Sequence, residues 1–197
     1  MGLVALQHGQ PMNHISIDIE TYSLCQRAHL LSVGAVMLDS DFNIAKAPLF
    51  HYIVRWEGQE GRRVCNDTMM WWEGQSKEAR AMSFGKPHGS KPLTTLKDWI
   101  NTYADDPEEI MVWAGPDWFD LGVLKDYAED PSNEENPVLP WTYKQTGCIS
   151  TIEHLMALSG TKYTEVLPTV PHCPVSDSVA AAVNLKTMFD QIGWRPM

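Results

Sequence analysis

Five side chains, spread over nearly the whole chain, are of the types that hold a hard cation and move a proton. They are Asp18 and Glu20 in Ile17-Asp18-Ile19-Glu20-Thr21, Asp120 in Gly115-Pro116-Asp117-Trp118-Phe119-Asp120, and His172 with Asp177 in His172-Cys173-Pro174-Val175-Ser176-Asp177. Carboxylate oxygens suit Mg²⁺ or Mn²⁺. Two such ions about 4 Å apart lower the pKa of a water and steady the leaving 3′-oxygen of a phosphodiester. A histidine, with an ordinary pKa of about 6.5, can take the proton from that water near neutral pH. The set points to a two-metal nuclease.

Each piece has to be positioned by an element, and each also has a bland explanation. Residues 15–20 alternate strictly, so a strand presents Ile15, Ile17 and Ile19 on one face and Ser16, Asp18 and Glu20 on the other. Asp-x-Glu is common on solvated strand ends, but two carboxylates on one face of a first strand repel each other unless a cation lies between them. Asp120 falls in the first turn of an expected helix over 117–128, where an acid also complements the macrodipole; Asp117 is the expected N-cap, which leaves Asp120 without a purely local reason. Asp177 lies in the first turn of a helix expected over 174–189, because Pro174 suits the first helical position and biases Cys173 towards an extended conformation. His172 read alone is a surface histidine, and its offset from Asp177 is what lifts it.

The remaining elements follow from period and punctuation. Residues 30–38 and 48–56 read as strands that complete a three-stranded antiparallel meander. A helix is expected over 66–82, capped by Asn66 or Asp67, and another over 92–104. Residues 110–114 form a short buried strand. The stretch 129–137 is the most loop-like of the chain, followed by a short strand near 141–143 and a helix over 149–158. The segment 1–11 has no period and reads as a flexible leader or cloning remnant, ahead of a single domain over 12–197. Strands followed by helices around further strands predict an α/β class, a mixed sheet flanked by helices as in the RNase H-like fold.

Composition narrows the function classes. The chain has 197 residues, a net charge of −10 and only 15 Lys and Arg, which argues against a broad basic grip on nucleic acid. It does not argue against a nuclease, because bound divalent cations make an acidic site far less negative. Cys25, Cys65, Cys148 and Cys173 are scattered without a C-x-x-C pair, which fits reduced thiols in a cytoplasmic protein; zinc through Cys148, His172 and Cys173 is a weaker alternative. No apolar run reaches membrane-spanning length, so no membrane partner is expected.

Taken together, Asp18 and Glu20, Asp120 in Gly-x-x-x-Phe-Asp, and His172 five residues before Asp177 resemble, in order and spacing, the motifs of the DEDDh family of 3′→5′ exonucleases. The segment Trp71-Trp72-Glu73-Gly74-Gln75-Ser76-Lys77-Glu78-Ala79-Arg80 is similar to a helix of phage exonuclease A and related small bacterial exoribonucleases. The resemblance spans roughly residues 13–189. It implies Asp18, Glu20, Asp120 and Asp177 as ligands of two Mg²⁺ or Mn²⁺, His172 as general base, release of nucleoside 5′-monophosphates from single-stranded 3′ ends or short 3′ overhangs of RNA or DNA, and a homodimer. The chain departs from those relatives at Gly147-Cys148-Ile149-Ser150-Thr151, where they tend to carry an Arg-Asp segment.

Thr21, Trp71, Trp72, Gln75 and Arg80 are the candidate substrate contacts. Adjacent residues on a helix point about 100° apart, so one of Trp71 and Trp72 belongs to the core and the other is free to stack on a terminal base. Arg62, Arg63, Lys77, Arg80, Lys86 and Lys91 form the main basic cluster, read either as a solvated face or as a phosphate track. Two rival functions remain at this level: a catalytically silent nucleic-acid-binding module of the same fold, and a metal-dependent phosphohydrolase of free nucleotides.

Overall fold

A computed structural model describes residues 11–131, 133, 135 and 137–194. The proposed leader 1–11 lies outside the described residues save for Pro11, whose carbonyl accepts a hydrogen bond from the Ser40 amide at 3.0 Å. Five strands form one sheet: β1 (Met12–Thr21), β2 (Leu30–Asp39), β3 (Leu49–Ile53), β4 (Met111–Ala114) and β5 (Thr146–Cys148), in the order β3-β2-β1-β4-β5. β1, β2 and β3 pair antiparallel, whereas β4 and β5 add to β1 in parallel. The helices are α1 (Asn66–Glu73), α2 (Lys77–Phe84), α3 (Pro92–Tyr103), α4 (Asp117–Glu129), α5 (Ile149–Leu158) and α6 (Pro174–Ile192). This is the mixed α/β sheet flanked by helices that the sequence predicts. No helix among the described residues is long and apolar enough to cross a membrane.

The alternation in β1 works as expected. Ile15, Ile17 and Ile19 are buried in one core with Leu93, Leu96 and Ile100 of α3 and Val123, Leu124 and Tyr127 of α4. On the opposite face of the sheet, Val36, Leu38 and Trp113 pack with Met156 of α5 and Leu185, Met188 and Phe189 of α6. α6 approaches the sheet closely because Gly34, the β2 partner of Asp18, carries no side chain. A Cβ there would lie 2.2 Å from the carbonyl carbon of Pro174. That close approach sets the first turn of α6 over the end of β1.

Four local expectations are corrected. The helix expected over 66–82 is broken into α1 and α2 at Gly74-Gln75-Ser76, where the Ser76 hydroxyl accepts from the Ala79 amide and starts a new helix. Neither Asn66 nor Asp67 caps α1; both lie inside it and Cys65 occupies the cap position. Asp117 is likewise the first helical residue of α4, after Pro116, rather than its cap. The strand expected near 141–143 is replaced by a 3₁₀ turn over Tyr143–Gln145, with β5 following it. Gln145 governs that turn: its side chain reaches back to the Thr142 amide and ties the turn to the carbonyls of Glu108 and Ile110.

Candidate active site

The end of β1, the first turn of α4 and the first turn of α6 converge on one cavity of about 390 Å³. Asp18, Glu20, Asp120, His172 and Asp177 all line it. Oxygen atoms of Asp18, Glu20 and Asp177 lie within 4.8 Å of one another. Asp120 approaches from α4 and is only 4 % exposed. Its place one turn after Pro116 is fixed by the helix itself, whose first bonds run from the Phe119 and Asp120 amides to the Pro116 carbonyl.

Electrostatics give this cluster its character. Burial, followed by the repulsion of Asp120, Glu20 and Asp177, raises Asp18 well above the ordinary carboxylate range. Glu20 is pushed up to about 8, by burial and then by Asp177 and Asp120. Burial takes Asp120 to about 7, although a backbone hydrogen bond from Gly115 works against it. Asp177 rises to about 6 by burial, held partly back by backbone hydrogen bonds at Cys173 and His172. One oxygen of Asp177, Oδ2, is buried without a hydrogen-bond partner. A buried oxygen with no donor, among carboxylates that resist ionising together, is what a site shaped for cations presents. Hard oxygen donors suit a divalent ion of the Mg²⁺ or Mn²⁺ type. Among the described residues this is the group of three that could hold a metal, and Cys148 and Cys173 do not join it, so the zinc alternative finds no support.

His172 sits in the turn before α6 with φ 62°, a left-handed conformation unusual for a residue with a side chain. Its ring lies edge-on to Trp71, with centroids 4.6 Å apart. Burial lowers its pKa from the ordinary value, which favours the neutral imidazole, the form that can accept a proton.

The candidate substrate residues separate sharply. Trp71 is 45 % exposed and lines a second, mostly apolar cavity of about 320 Å³ with Ile19, Glu20, Thr21, Leu24 and Phe119. Trp72 is 3 % exposed, packs on Leu31 and Ala79, and donates its indole N–H to the Thr21 carbonyl at 3.1 Å. It has no face left for a base, so its place among substrate contacts is corrected to the core. Thr21 is buried and its hydroxyl donates to the Ser23 carbonyl, while the Gln75 side chain donates to the Trp71 carbonyl at the end of α1. Arg80 is half-buried and lines neither cavity.

The basic cluster is also dispersed. Arg62, with its side chain 1 % exposed, donates to the Ala28 carbonyl and pairs with Asp126 at 2.9 Å and Asp130 at 3.6 Å. It is a structural post rather than part of a phosphate track, and none of the six basic residues lines the acidic cavity. Sequence reasoning missed Leu24, Glu153 and Glu165, which wall the two cavities. No motif marks them, since their roles arise only from the β1–β2 loop, α5 and the segment after α5 being brought to the end of β1. Phe119 was already visible in the Gly-x-x-x-Phe-Asp run.

The fold is similar to that of several nucleases of known structure. For cell-death related nuclease 4 (CRN-4) the TM-score is 0.62 at 14 % identity, covering 92 % of this chain and 65 % of that one. For the RNase domain of the yeast Pop2 protein it is 0.59 at 12 %, covering 95 % and 81 %. For E. coli exonuclease I in complex with single-stranded DNA it is 0.56 at 12 %, covering 92 % and 41 %. The chain thus spans less than two thirds of CRN-4 and under half of exonuclease I. No curated protein sequence matches it. The model of the 3′-5′ exoribonuclease Rv2179c-like domain matches residues 13–189, nearly the whole chain with the acid cluster inside it, and the chain therefore belongs to that exonuclease family.

Proposed function

We propose that the protein removes nucleoside 5′-monophosphates from single-stranded 3′ ends of RNA, or from short 3′ overhangs, by metal-dependent hydrolysis of the DEDDh type. The observation that carries this reading is the convergence of Asp18, Glu20 and Asp177 within 4.8 Å, beside buried Asp120 and with His172 in the same cavity. Asp18, Glu20, Asp120 and Asp177 would hold two Mg²⁺ or Mn²⁺. When bound, these ions lower the pKa of the attacking water and offset charge on the leaving 3′-oxygen. His172 accepts the proton of that water as its oxygen bonds to phosphorus. The P–O3′ bond then breaks, and the proton balance is restored on the 3′-oxygen of the shortened strand.

The apolar cavity accounts for action at a strand end. Trp71, Leu24 and Phe119 form walls on which a terminal base can stack, a contact every base can make. The preference for RNA follows the family assignment, and a second copy of the chain is the partner the resemblance implies. The deciding experiment digests matched RNA and DNA strands, labelled at the 3′ or the 5′ end, with Mg²⁺, Mn²⁺ or EDTA. The expected result is metal-dependent release of the 3′-terminal nucleotide first, faster from RNA. Binding without cleavage would indicate a silent module, and cleavage of free nucleotides alone would indicate a phosphohydrolase.

A further inference from the structure

Two cavities meet at the acid cluster, sharing Ile19, Glu20 and Phe119, and they differ in character. The smaller, walled by Leu24 and Trp71, takes the 3′-terminal nucleoside in the reading above. The larger is lined beyond the acids by Asn184 of α6, by Ser150 and Glu153 of α5, and by Glu165 in the segment between α5 and α6. With the terminal nucleoside in the first cavity and the scissile phosphate over the acids, the nucleotide on the 5′ side lies towards the second.

What it meets there is negative. Beyond the four carboxylates of the cluster, the larger cavity is lined by Glu153 and Glu165 and by no Lys or Arg. Glu153 is held in place: the Tyr163 hydroxyl donates to its Oε1 at 2.7 Å. Glu165, on the same segment as Tyr163, also acts electrostatically on that phenol. Cations bound at the cluster offset the charge of Asp18, Glu20, Asp120 and Asp177, and they leave these two uncompensated.

We propose that Glu153 and Glu165 are specificity-determining residues that select against negative charge 5′ of the scissile phosphodiester, making a dinucleotide with a 5′-hydroxyl a better substrate than its 5′-phosphorylated counterpart. The inference rests on the exoribonuclease reading. A terminal phosphate carries a charge of about −1.5 to −2 at neutral pH. Repulsion between such a charge and two carboxylates across a water-filled cavity amounts to about a two- to tenfold effect at low salt, and salt screens it. The bonds made and broken are the same for both substrates, so the difference falls on KM.

The test compares adenylyl-adenosine bearing a 5′-hydroxyl with the same dinucleotide bearing a 5′-phosphate, at fixed Mg²⁺ or Mn²⁺. The expected result is a kcat/KM about two- to tenfold higher for the 5′-hydroxyl substrate at low ionic strength. The gap narrows as NaCl is raised, and the ratio of kcat/KM for the two substrates moves to about one in Glu153→Gln/Glu165→Gln. Both positions are on the surface of the cavity, and the salt dependence is read on the unaltered protein, so the test does not depend on the variant folding. Equal use of the two dinucleotides, preference for the phosphorylated one, or a gap that persists in the variant overturns the inference while leaving the exonuclease reading intact. Cleavage of a longer RNA without cleavage of either dinucleotide also overturns it. Failure to cleave any RNA overturns the exonuclease reading itself.

Discussion

The two faces of β1 obey opposite rules. On one, Ile15, Ile17 and Ile19 are buried against α3 and α4, and every contact there favours the folded state. On the other, Asp18 and Glu20 are buried beside Asp120 and Asp177, and their raised pKa values record how strongly the fold resists their charge. A strand of ten residues thus carries a stabilising face and a face that weakens the cation-free protein. The difference teaches that the acids are held in place by the isoleucines rather than by their own interactions, so function on one face draws on stability from the other.

The sharpest way to break this comparison is on the acidic face. Asp18→Ala is expected to abolish turnover of RNA while leaving the fold intact, because it removes a ligand and relieves repulsion at once. Retention of activity at saturating Mg²⁺, with an unchanged circular dichroism spectrum, would count against the site. Next in size is His172→Ala, expected to lower kcat on the order of 10²–10⁴-fold, the range of a lost acid–base catalyst. In the unaltered protein, activity should climb as pH rises through the pKa of His172 and level off above it. Burial lowers that pKa from the ordinary histidine value. A profile indifferent to the substitution would leave His172 a bystander in its turn.

On the apolar face, Ile17→Ala should destabilise the protein by about 2–5 kcal/mol, as for other buried aliphatic truncations, with the activity of each folded molecule little changed. Urea denaturation read beside specific activity checks the separation. The smallest effect is expected for Trp71→Ala, which should raise KM by the equivalent of about 1–3 kcal/mol of lost base stacking. Its neighbour gives the control: Trp72→Ala should cost stability instead, because that ring is 3 % exposed and hydrogen-bonded to the Thr21 carbonyl.

Much of this arrangement is legible in the sequence, and for identifiable reasons. A period of two over residues 15–20 fixes which face the acids take, and Pro174 fixes where α6 begins and hence that Asp177 lies in its first turn. What sequence does not show is the approach of elements distant along the chain. Gly34 reads as an ordinary strand glycine until α6 is seen resting on it. Arg62 reads as a surface cation, yet the loop carbonyls at 26 and 28 and the acids at 126 and 130 enclose it. The adjacent tryptophans were separable in principle, but only the packing of α1 on Leu31 decides which is buried. The break at Gly74-Gln75-Ser76 was marked by a glycine and a capping serine, and a continuous helical period over it hid both.

The raised carboxylate pKa values also set the sign of a pH effect. A group whose pKa is higher in the folded than in the unfolded chain adds stability that is full below its unfolded value and is lost as pH rises through the folded one. With Asp177 at about 6, Asp120 at about 7 and Glu20 at about 8, the cation-free protein should lose stability steadily between about pH 4 and pH 8. Divalent cations should oppose that loss most strongly at the alkaline end, where the cluster is ionised and most in need of them.

Thermal unfolding at pH 8, with and without Mn²⁺, for the unaltered protein and Asp18→Ala therefore tests the cation site most directly. The prediction is a clear rise in Tm on adding Mn²⁺ to the unaltered protein, and a higher metal-free Tm with little or no further rise in Asp18→Ala. No rise in the unaltered protein, or an equal rise in both, would contradict a divalent-cation site at the end of β1.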